Sequence, residues 1–90
     1  MKIKPGYLLR TVAGQHVVVP VGEQAVNFNG IITLNGSGKT LWELLVAGAT
    51  KEQLIDGLLK RYEVSKIEAE ADVEQFIRKV KAHRLMDDHE

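Results

Sequence analysis

Hydrophobic and polar residues alternate along the N-terminal part of the chain, and this period of two predicts β-strands. The predicted strands are residues 7–12, 16–21 and 24–34; the third shows the alternation, and the second is rich in β-branched residues. Pro5 and Gly6 mark the start of the first strand, so residues 1–5 are expected to be a short lead-in. Gly14 fits a tight turn between the first two strands, which predicts a hairpin. Gly30 interrupts the third strand and indicates a bulge or the close approach of another backbone.

After the third strand the apolar residues recur every three or four positions, which predicts amphipathic helices. The predicted helices cover residues 38–47, 51–62 and 66–83. Gly48 is placed to end the first helix in a left-handed conformation. Thr50 followed by Gln53 has the sequence pattern of a capping box at the start of the second helix. Ser65 followed by Glu68 repeats that pattern before the third helix.

Strands that precede helices without βαβ alternation predict an α+β domain, in which an antiparallel sheet of three strands packs on three helices. With 90 residues the chain is long enough for one domain with a single modest core. Trp42 is expected to bury a large apolar area in that core. Leu85 and Met86, after the last helix, are expected to fold back onto the domain. The chain is therefore interpreted as a single domain spanning residues 1–90.

Composition narrows the classes of function. Twelve basic and twelve acidic residues give a formal net charge of zero, which removes the long-range attraction behind most non-specific nucleic-acid binding. The chain has no cysteine, so disulfides and thiolate metal sites are excluded. No window is apolar enough for a membrane span, and the N-terminus lacks the pattern of a signal peptide. A cytoplasmic protein without a membrane partner is expected.

Residues 36–40 read GSGKT and resemble the end of a phosphate-binding loop. That loop needs a glycine where this chain has Thr33, because the first glycine lets backbone N–H groups close around the phosphates. No later strand supplies the aspartate that assists magnesium. The segment is better explained as a strand-to-helix connection whose helix is capped by Asn35 or Ser37. Nucleotide binding is therefore the weaker interpretation.

No residue pattern indicates catalysis or metal binding. His16, His83 and His89 are widely separated, and no two histidines have the i, i+4 spacing that lets them share a metal on a helix face. The chain has no cysteine nucleophile, and Ser37 and Ser65 are better explained as helix caps. We expect a protein that is not an enzyme and that needs no metal or cofactor.

Three helices beside a small sheet also fit a winged helix-turn-helix regulator that binds DNA, which is the alternative interpretation. The recognition helix of such a protein should be basic where it enters the groove of the duplex. Here the first turns of the last helix carry Glu68, Glu70, Asp72 and Glu74. Repulsion from phosphate would be strongest where contact is needed, so no nucleic-acid partner is expected.

The third predicted strand has the features of a peptide-binding edge. An edge strand presents unpaired N–H and C=O groups, which proteins either defend or use to accept an added strand. Residues 24–34 contain no proline, lysine or arginine, so an edge here would be undefended. Strand order stays open at this point, because the same strand could be central. An open edge could also pair with a second copy of the chain and form a homodimer.

Several segments together resemble the PqqD family. They are LNGSGKTLWELL at residues 34–45, Gly48-Ala49-Thr50, Tyr62-Glu63-Val64, and the stretch from Asp72-Val73 to Phe76-Ile77. The first resembles the family's common LN-x-[ST]-G before a helix with WELL, from which this chain departs at Lys39-Thr40. The family comprises peptide chaperones of natural-product biosynthesis, also called RiPP recognition elements. The resemblance implies a winged-helix-like, non-catalytic domain that binds the leader of a ribosomally made precursor peptide. It would present that peptide to a modifying enzyme, commonly a radical SAM protein.

The resemblance also implies where the peptide binds, since in this family the leader adds beside the third strand and lies in a cleft against the third helix. Carried over to this chain, main-chain pairing would involve Gln24, Ala25, Val26, Asn27, Phe28, Asn29 and Ile31. The cleft wall would be formed by Val73, Phe76, Lys79 and Val80, with Asp72, Lys79 and His83 fixing the register through charge. Helical spacing does not separate a cleft wall from ordinary core, so both interpretations stay open for Val73, Phe76 and Val80.

Overall fold

A computed structural model of the chain describes residues 1–22 and 32–87. The described elements are β1 (Lys2–Ile3), β2 (Tyr7–Val12), β3 (Gln15–Pro20), β4 (Ile32–Leu34), α1 (Gly36–Ala47), α2 (Lys51–Arg61), α3 (Lys66–Ala82) and β5 (Met86–Asp87). The strands β2, β3 and β4 form an antiparallel sheet in that order, and the helices follow it along the chain. The predicted α+β fold class is confirmed. Among these helices, none combines the length and apolar character needed to cross a membrane.

The β2–β3 hairpin turns at Ala13 and Gly14. Both residues have positive φ, +52° and +80° respectively, as a two-residue hairpin turn of the primed type requires. Val12 pairs with Gln15 directly before and after this turn. β4 extends the sheet by pairing with β3, and it lies at one end of the sheet in the part of the chain that is described. The short turn thus sets the register of β2 against β3.

The first residues of the chain form a strand, and the predicted lead-in is wrong. Lys2–Ile3 pairs antiparallel with Met86–Asp87, so that β1 and β5 make a second, two-stranded sheet. The Lys4 N–H donates to the Leu85 carbonyl at 2.8 Å and continues this contact between the two ends of the chain. The fold-back expected of Leu85 and Met86 is thereby explained. A strand of two residues is too short for its alternation to be recognised in sequence.

One hydrophobic core joins the sheet to the helices. Its largest fully buried side chains come from β3, from each of the three helices and from the segment after α3: Val18, Leu41, Leu45, Leu54, Leu58, Val73 and Leu85. Trp42 is 3% exposed, as expected of a core residue. Because α3 contributes to the same core as β3 and β4, its position relative to the sheet is fixed by apolar packing.

Side-chain caps define the starts of α2 and α3. Thr50 Oγ1 accepts from the Gln53 N–H at 3.1 Å, and the Gln53 side chain accepts from the Thr50 N–H at 2.8 Å. This reciprocal pair is the predicted capping box. Ser65 Oγ accepts from the Glu68 N–H at 3.1 Å, while the Glu68 carboxylate accepts from the Ser65 hydroxyl at 3.2 Å. At the end of α1, Gly48 has the positive φ, +97°, that its glycine predicted.

An exposed ion pair connects α2 to α3. Lys51 Nζ lies 2.9 Å from Glu74 Oε1. The hydrogen bond from Lys51, followed by its charge, lowers the pKa of Glu74, and the pKa of Lys51 is raised by the same two interactions. Both side chains remain largely in water, so this pair adds little to stability. Its shifted pKa values reflect a surface contact between helices, not a buried acid–base site.

Replacing Leu85 by alanine should destabilise the protein by about 2 to 5 kcal/mol, because the side chain is fully buried and its loss leaves a cavity. Urea unfolding followed by circular dichroism measures the effect. Ile67→Ala is the matched control, since Ile67 is 80% exposed and its loss should change stability by less than about 0.5 kcal/mol. Equal and small effects at both positions would contradict the assignment of the paired chain ends to the core.

Candidate functional site

A groove of about 400 Å³ lies between β4 and α3. Its walls come from the end of β4, the first turns of α1 and one face of α3, through Thr33, Leu34, Asn35, Ser37, Gly38, Leu41, Asp72, Gln75, Phe76 and Lys79. The four residues from α3 are spaced i, i+3, i+4 and i+7, which places them along one face of the helix. The groove therefore combines the edge of a sheet with a helix surface.

The backbone of β4 reaches the groove at Thr33. This residue is in register with Val17 of β3, yet its carbonyl oxygen accepts a hydrogen bond from Lys79 Nζ of α3 at 2.8 Å. The carbonyl therefore points away from β3. In an antiparallel pair the N–H and C=O of one residue point to the same side, so the Thr33 N–H is directed toward the groove as well. Thr33 thus directs its main-chain groups toward the groove, where its carbonyl is already hydrogen-bonded to Lys79.

The charged residues of the groove lie at opposite ends. Lys79 is at the Thr33 end, whereas Asp72 is two turns nearer the start of α3, roughly 10 Å away along the helix axis. Asp72 also lines a second, adjoining cavity together with Asn35 and Ser37 at the start of α1. Both charged side chains are exposed. A bound chain would meet a positive charge at one end of the groove and a negative charge at the other.

The structure divides the predicted site residues of α3 into two groups. Phe76 lines the groove together with Asp72 and Lys79, although it is only 6% exposed. Val73 and Val80 are 0% and 3% exposed; like Phe76 they belong to the core, but they are not among the residues that line the groove. His83 is exposed at the C-terminal end of α3 and is not part of the groove lining.

The residues predicted to pair with a peptide backbone lie outside the described residues. They are Gln24, Ala25, Val26, Asn27, Phe28, Asn29 and Ile31. Their role as a pairing edge stays a prediction. The described continuation of the same segment is β4, which supplies Thr33 and Leu34 to the groove.

Sequence reasoning missed some groove residues that a simple signal could have found. Gln75 is one position before Phe76 and shares a helix face with Asp72 and Lys79 by the i, i+3 and i+4 spacings. The contributions of Asn35 and Ser37 had no such signal, because they depend on how the start of α1 packs beside α3. Residues that line a groove between two elements can be predicted only when the relative position of both elements is known.

The GSGKT segment serves as the start of a helix. α1 begins at Gly36, two residues before the predicted start, because Asn35 caps it: Asn35 Oδ1 accepts from the Gly38 N–H at 2.8 Å and from the Ser37 hydroxyl at 3.0 Å. A Cβ on Gly38 would lie 3.2 Å from both Asn35 Oδ1 and Leu34 Cβ, so glycine avoids crowding the cap. The Gly38 N–H, which a phosphate-binding loop would direct at its ligand, is already bonded.

Thr40 is also engaged within the fold. It is 5% exposed, and its Oγ1 lies 3.1 Å from the Tyr62 hydroxyl. Tyr62 in turn donates to the Gly36 carbonyl at 3.1 Å. These bonds connect the first turn of α1 to the end of α2, and they favour the structural interpretation of GSGKT over a nucleotide site.

The surface of α3 carries acidic residues where a DNA-binding helix would need basic ones. Glu68, Asp72 and Glu74 are exposed along its N-terminal half. Their repulsion from phosphate opposes insertion of this part of α3 into a DNA groove.

Comparisons with known proteins identify a family and a fold. The family model described as coenzyme PQQ synthesis protein D (PqqD) matches residues 15–86. The chain is similar to a solved structure described as TbiB1 in complex with the TbiA(beta) leader peptide, with 21% identity, a TM-score of 0.76, and coverage of 100% of this chain and 99% of that chain. It is also similar to lasso peptide synthetase B1 complexed with the leader peptide, with 18% identity, a TM-score of 0.71 and 93% coverage of both chains. No curated protein matches the chain.

Replacing Asn35 by alanine should lower stability by about 1 kcal/mol, because the start of α1 loses its cap. Urea unfolding followed by circular dichroism measures the loss. Ser37→Ala is the control, since the Gly38 N–H keeps its acceptor in that variant, and a smaller change is expected. If magnesium-ATP raised the melting temperature of the unaltered protein and Asn35→Ala removed that effect, GSGKT would instead be a phosphate site.

Proposed function

The chain belongs to the PqqD family, and we propose that it is a non-catalytic chaperone that binds the leader segment of a ribosomally made precursor peptide. The observation that carries this proposal is the groove in which main-chain groups of Thr33 face a helix surface formed by Asp72, Phe76 and Lys79. Such a groove suits an extended chain more than a compact small molecule. The leader peptides named for TbiB1 and lasso peptide synthetase B1 are consistent with an occupant of this kind.

The proposed mode of binding is strand addition to β4. A leader strand beside β4 would form hydrogen bonds with the main chain at Thr33, and these bonds supply affinity that depends little on the leader's sequence. Alternate leader side chains would then point into the groove, where Phe76 offers an apolar contact. On sequence grounds we extend the pairing edge to residues 24–31.

Charge would set the register of the bound leader. Asp72 and Lys79 lie at opposite ends of the groove, so a leader displaced by two residues would place its own charges against the wrong partners. His83 follows Lys79 by one helical turn and would extend this charged face beyond the groove.

A binding module of this kind acts by delivering its peptide to a separate enzyme. We propose a peptide-modifying enzyme of the radical SAM class as that partner, which is what resemblance to this family implies. Because the precursor is made on the ribosome, the proposed place of action is the cytoplasm.

Titration of the isotope-labelled protein with the leader of the precursor peptide encoded beside it should shift backbone amide resonances along residues 24–33. We expect a dissociation constant in the micromolar range or below, which corresponds to roughly −8 kcal/mol or better. A scrambled peptide of the same composition is the control and should bind much more weakly. If the leader leaves the amides of residues 24–33 unperturbed, the proposed mode of binding is wrong.

Replacing Thr33 by proline should weaken leader binding by about tenfold or more, because the N–H that faces the groove is removed. Thr33→Ala keeps this N–H and should change the affinity by less than about threefold. Calorimetric titration measures both, with circular dichroism to establish that each variant is folded. Proline at Asn27 or Asn29 should abolish binding in the same way wherever that N–H pairs with the leader. Equal affinities of Thr33→Pro and Thr33→Ala would exclude pairing at Thr33.

A further inference from the structure

Lys79 has an unusual contact for an exposed lysine. Holding such a flexible side chain in one geometry costs conformational entropy, and lysines on a surface usually extend into water. Here the ammonium lies 2.8 Å from the Thr33 carbonyl oxygen, on an element 46 positions away in sequence. The acceptor is a main-chain group at a sheet edge. It is the same atom with which the N–H of an added strand would pair.

This inference rests on the proposed function: we propose that Lys79 is a displaceable guard of the β4 edge that favours peptides carrying a carboxylate. In the free protein the Lys79 ammonium donates a hydrogen bond to the Thr33 carbonyl oxygen. In the proposed exchange, an incoming strand moves the ammonium aside and its own N–H takes that place on the oxygen. What the ammonium meets after displacement then depends on the peptide.

Two kinds of peptide leave the displaced ammonium in different states. A neutral strand satisfies the Thr33 carbonyl but provides no new partner for Lys79 in a groove that the peptide now partly covers. A strand with an aspartate or glutamate beside Lys79 gives the ammonium a charge-assisted hydrogen bond, which is roughly twice as strong as a neutral one. The exchange is therefore more favourable for the acidic peptide. Specificity then has two sources: Lys79 opposes neutral strands, and acidic strands gain a contact with it.

The position of the carboxylate on the peptide is restricted too. Asp72, at the opposite end of the groove, would repel a carboxylate placed near the start of α1. The acidic residue of the peptide must therefore lie beside the Thr33 end of the groove. A basic residue is tolerated only toward Asp72.

A guard of this kind also serves the free protein. An open edge can pair with any exposed strand, including one from a second copy of the chain, and lysine is a residue that proteins use to prevent such pairing. A lysine within the strand itself would block the leader as well. A lysine on the facing helix protects the edge and can still move away.

The test is a double-mutant cycle with the full-length chain, combining Lys79→Met with amide replacements in the leader. The probe is the leader of the precursor encoded beside this chain, together with versions in which each acidic residue is changed to its amide. Lys81→Met is the matched control, since it removes the same charge from the last turn of α3 but lies off the groove. Calorimetric titration measures every pair.

For the unaltered protein and for Lys81→Met, one acid-to-amide change should weaken binding by about tenfold. For Lys79→Met the same change should have an effect of less than about twofold, and the amide peptide should bind more tightly than it binds the unaltered protein. Equal losses in all three proteins would overturn the role of Lys79, and so would tight binding of a leader without acidic residues. Failure of the leader to bind any of the three proteins would count against the proposed function itself.

A second measurement requires no peptide. The carbonyl carbon resonance of Thr33 in the free protein should shift in Lys79→Met, because the carbonyl loses its hydrogen bond, and should stay in place in Lys81→Met. An unchanged resonance in Lys79→Met would overturn the guard even if the leader binds normally.

Discussion

The burial of α3 in the core is the constraint on which the groove depends. Val73 and Val80 are almost completely buried, and helix geometry fixes the angle between them and the neighbouring face that carries Asp72 and Lys79. Once this apolar stripe is buried in the core that the other helices share with β3 and β4, the adjacent face of α3 lies beside β4. Removing a buried side chain of this size costs on the order of 1 to 5 kcal/mol, which holds the helix in this orientation. The groove is thus positioned by the same packing that stabilises the fold.

The connection between β4 and α1 supplies the other wall. Asn35 caps α1, Gly38 allows the cap to sit close to Leu34, and Thr40 is bonded to Tyr62 at the end of α2. A segment whose sequence resembles a phosphate-binding loop therefore connects the sheet to the helices through a capped helix start. The resemblance is misleading because a loop that binds phosphate needs free N–H groups, whereas here the cap consumes one of them.

If the proposed function holds, this surface recognises the backbone and the side chains of a peptide by separate means. The main chain at Thr33 would bind any extended peptide, so discrimination must come from the facing helix. Phe76 contributes an apolar contact, while Asp72 and Lys79 give the groove a direction of charge. In the proposed mode of binding, affinity and selectivity would depend on different elements, so selectivity could change without loss of the pairing edge.

The sequence by itself determined the fold class and the local features. The period of the apolar residues changes from two to between three and four, and this change predicted that strands precede helices. The patterns at Thr50 and Gly48 predicted a capping box and the end of a helix. The resemblance to the PqqD family was also carried by the sequence. The periodicity and capping signals are local, because each depends on residues within one or two turns of one another.

Only the tertiary structure decided which residues form the groove. Helical spacing predicted the same apolar face for Val73, Phe76 and Val80, yet of these three only Phe76 lines the groove. The pairing of β1 with β5 and the bond from Lys79 to Thr33 join positions far apart in the chain. No periodicity records such contacts, because they follow from how the core brings separate elements together.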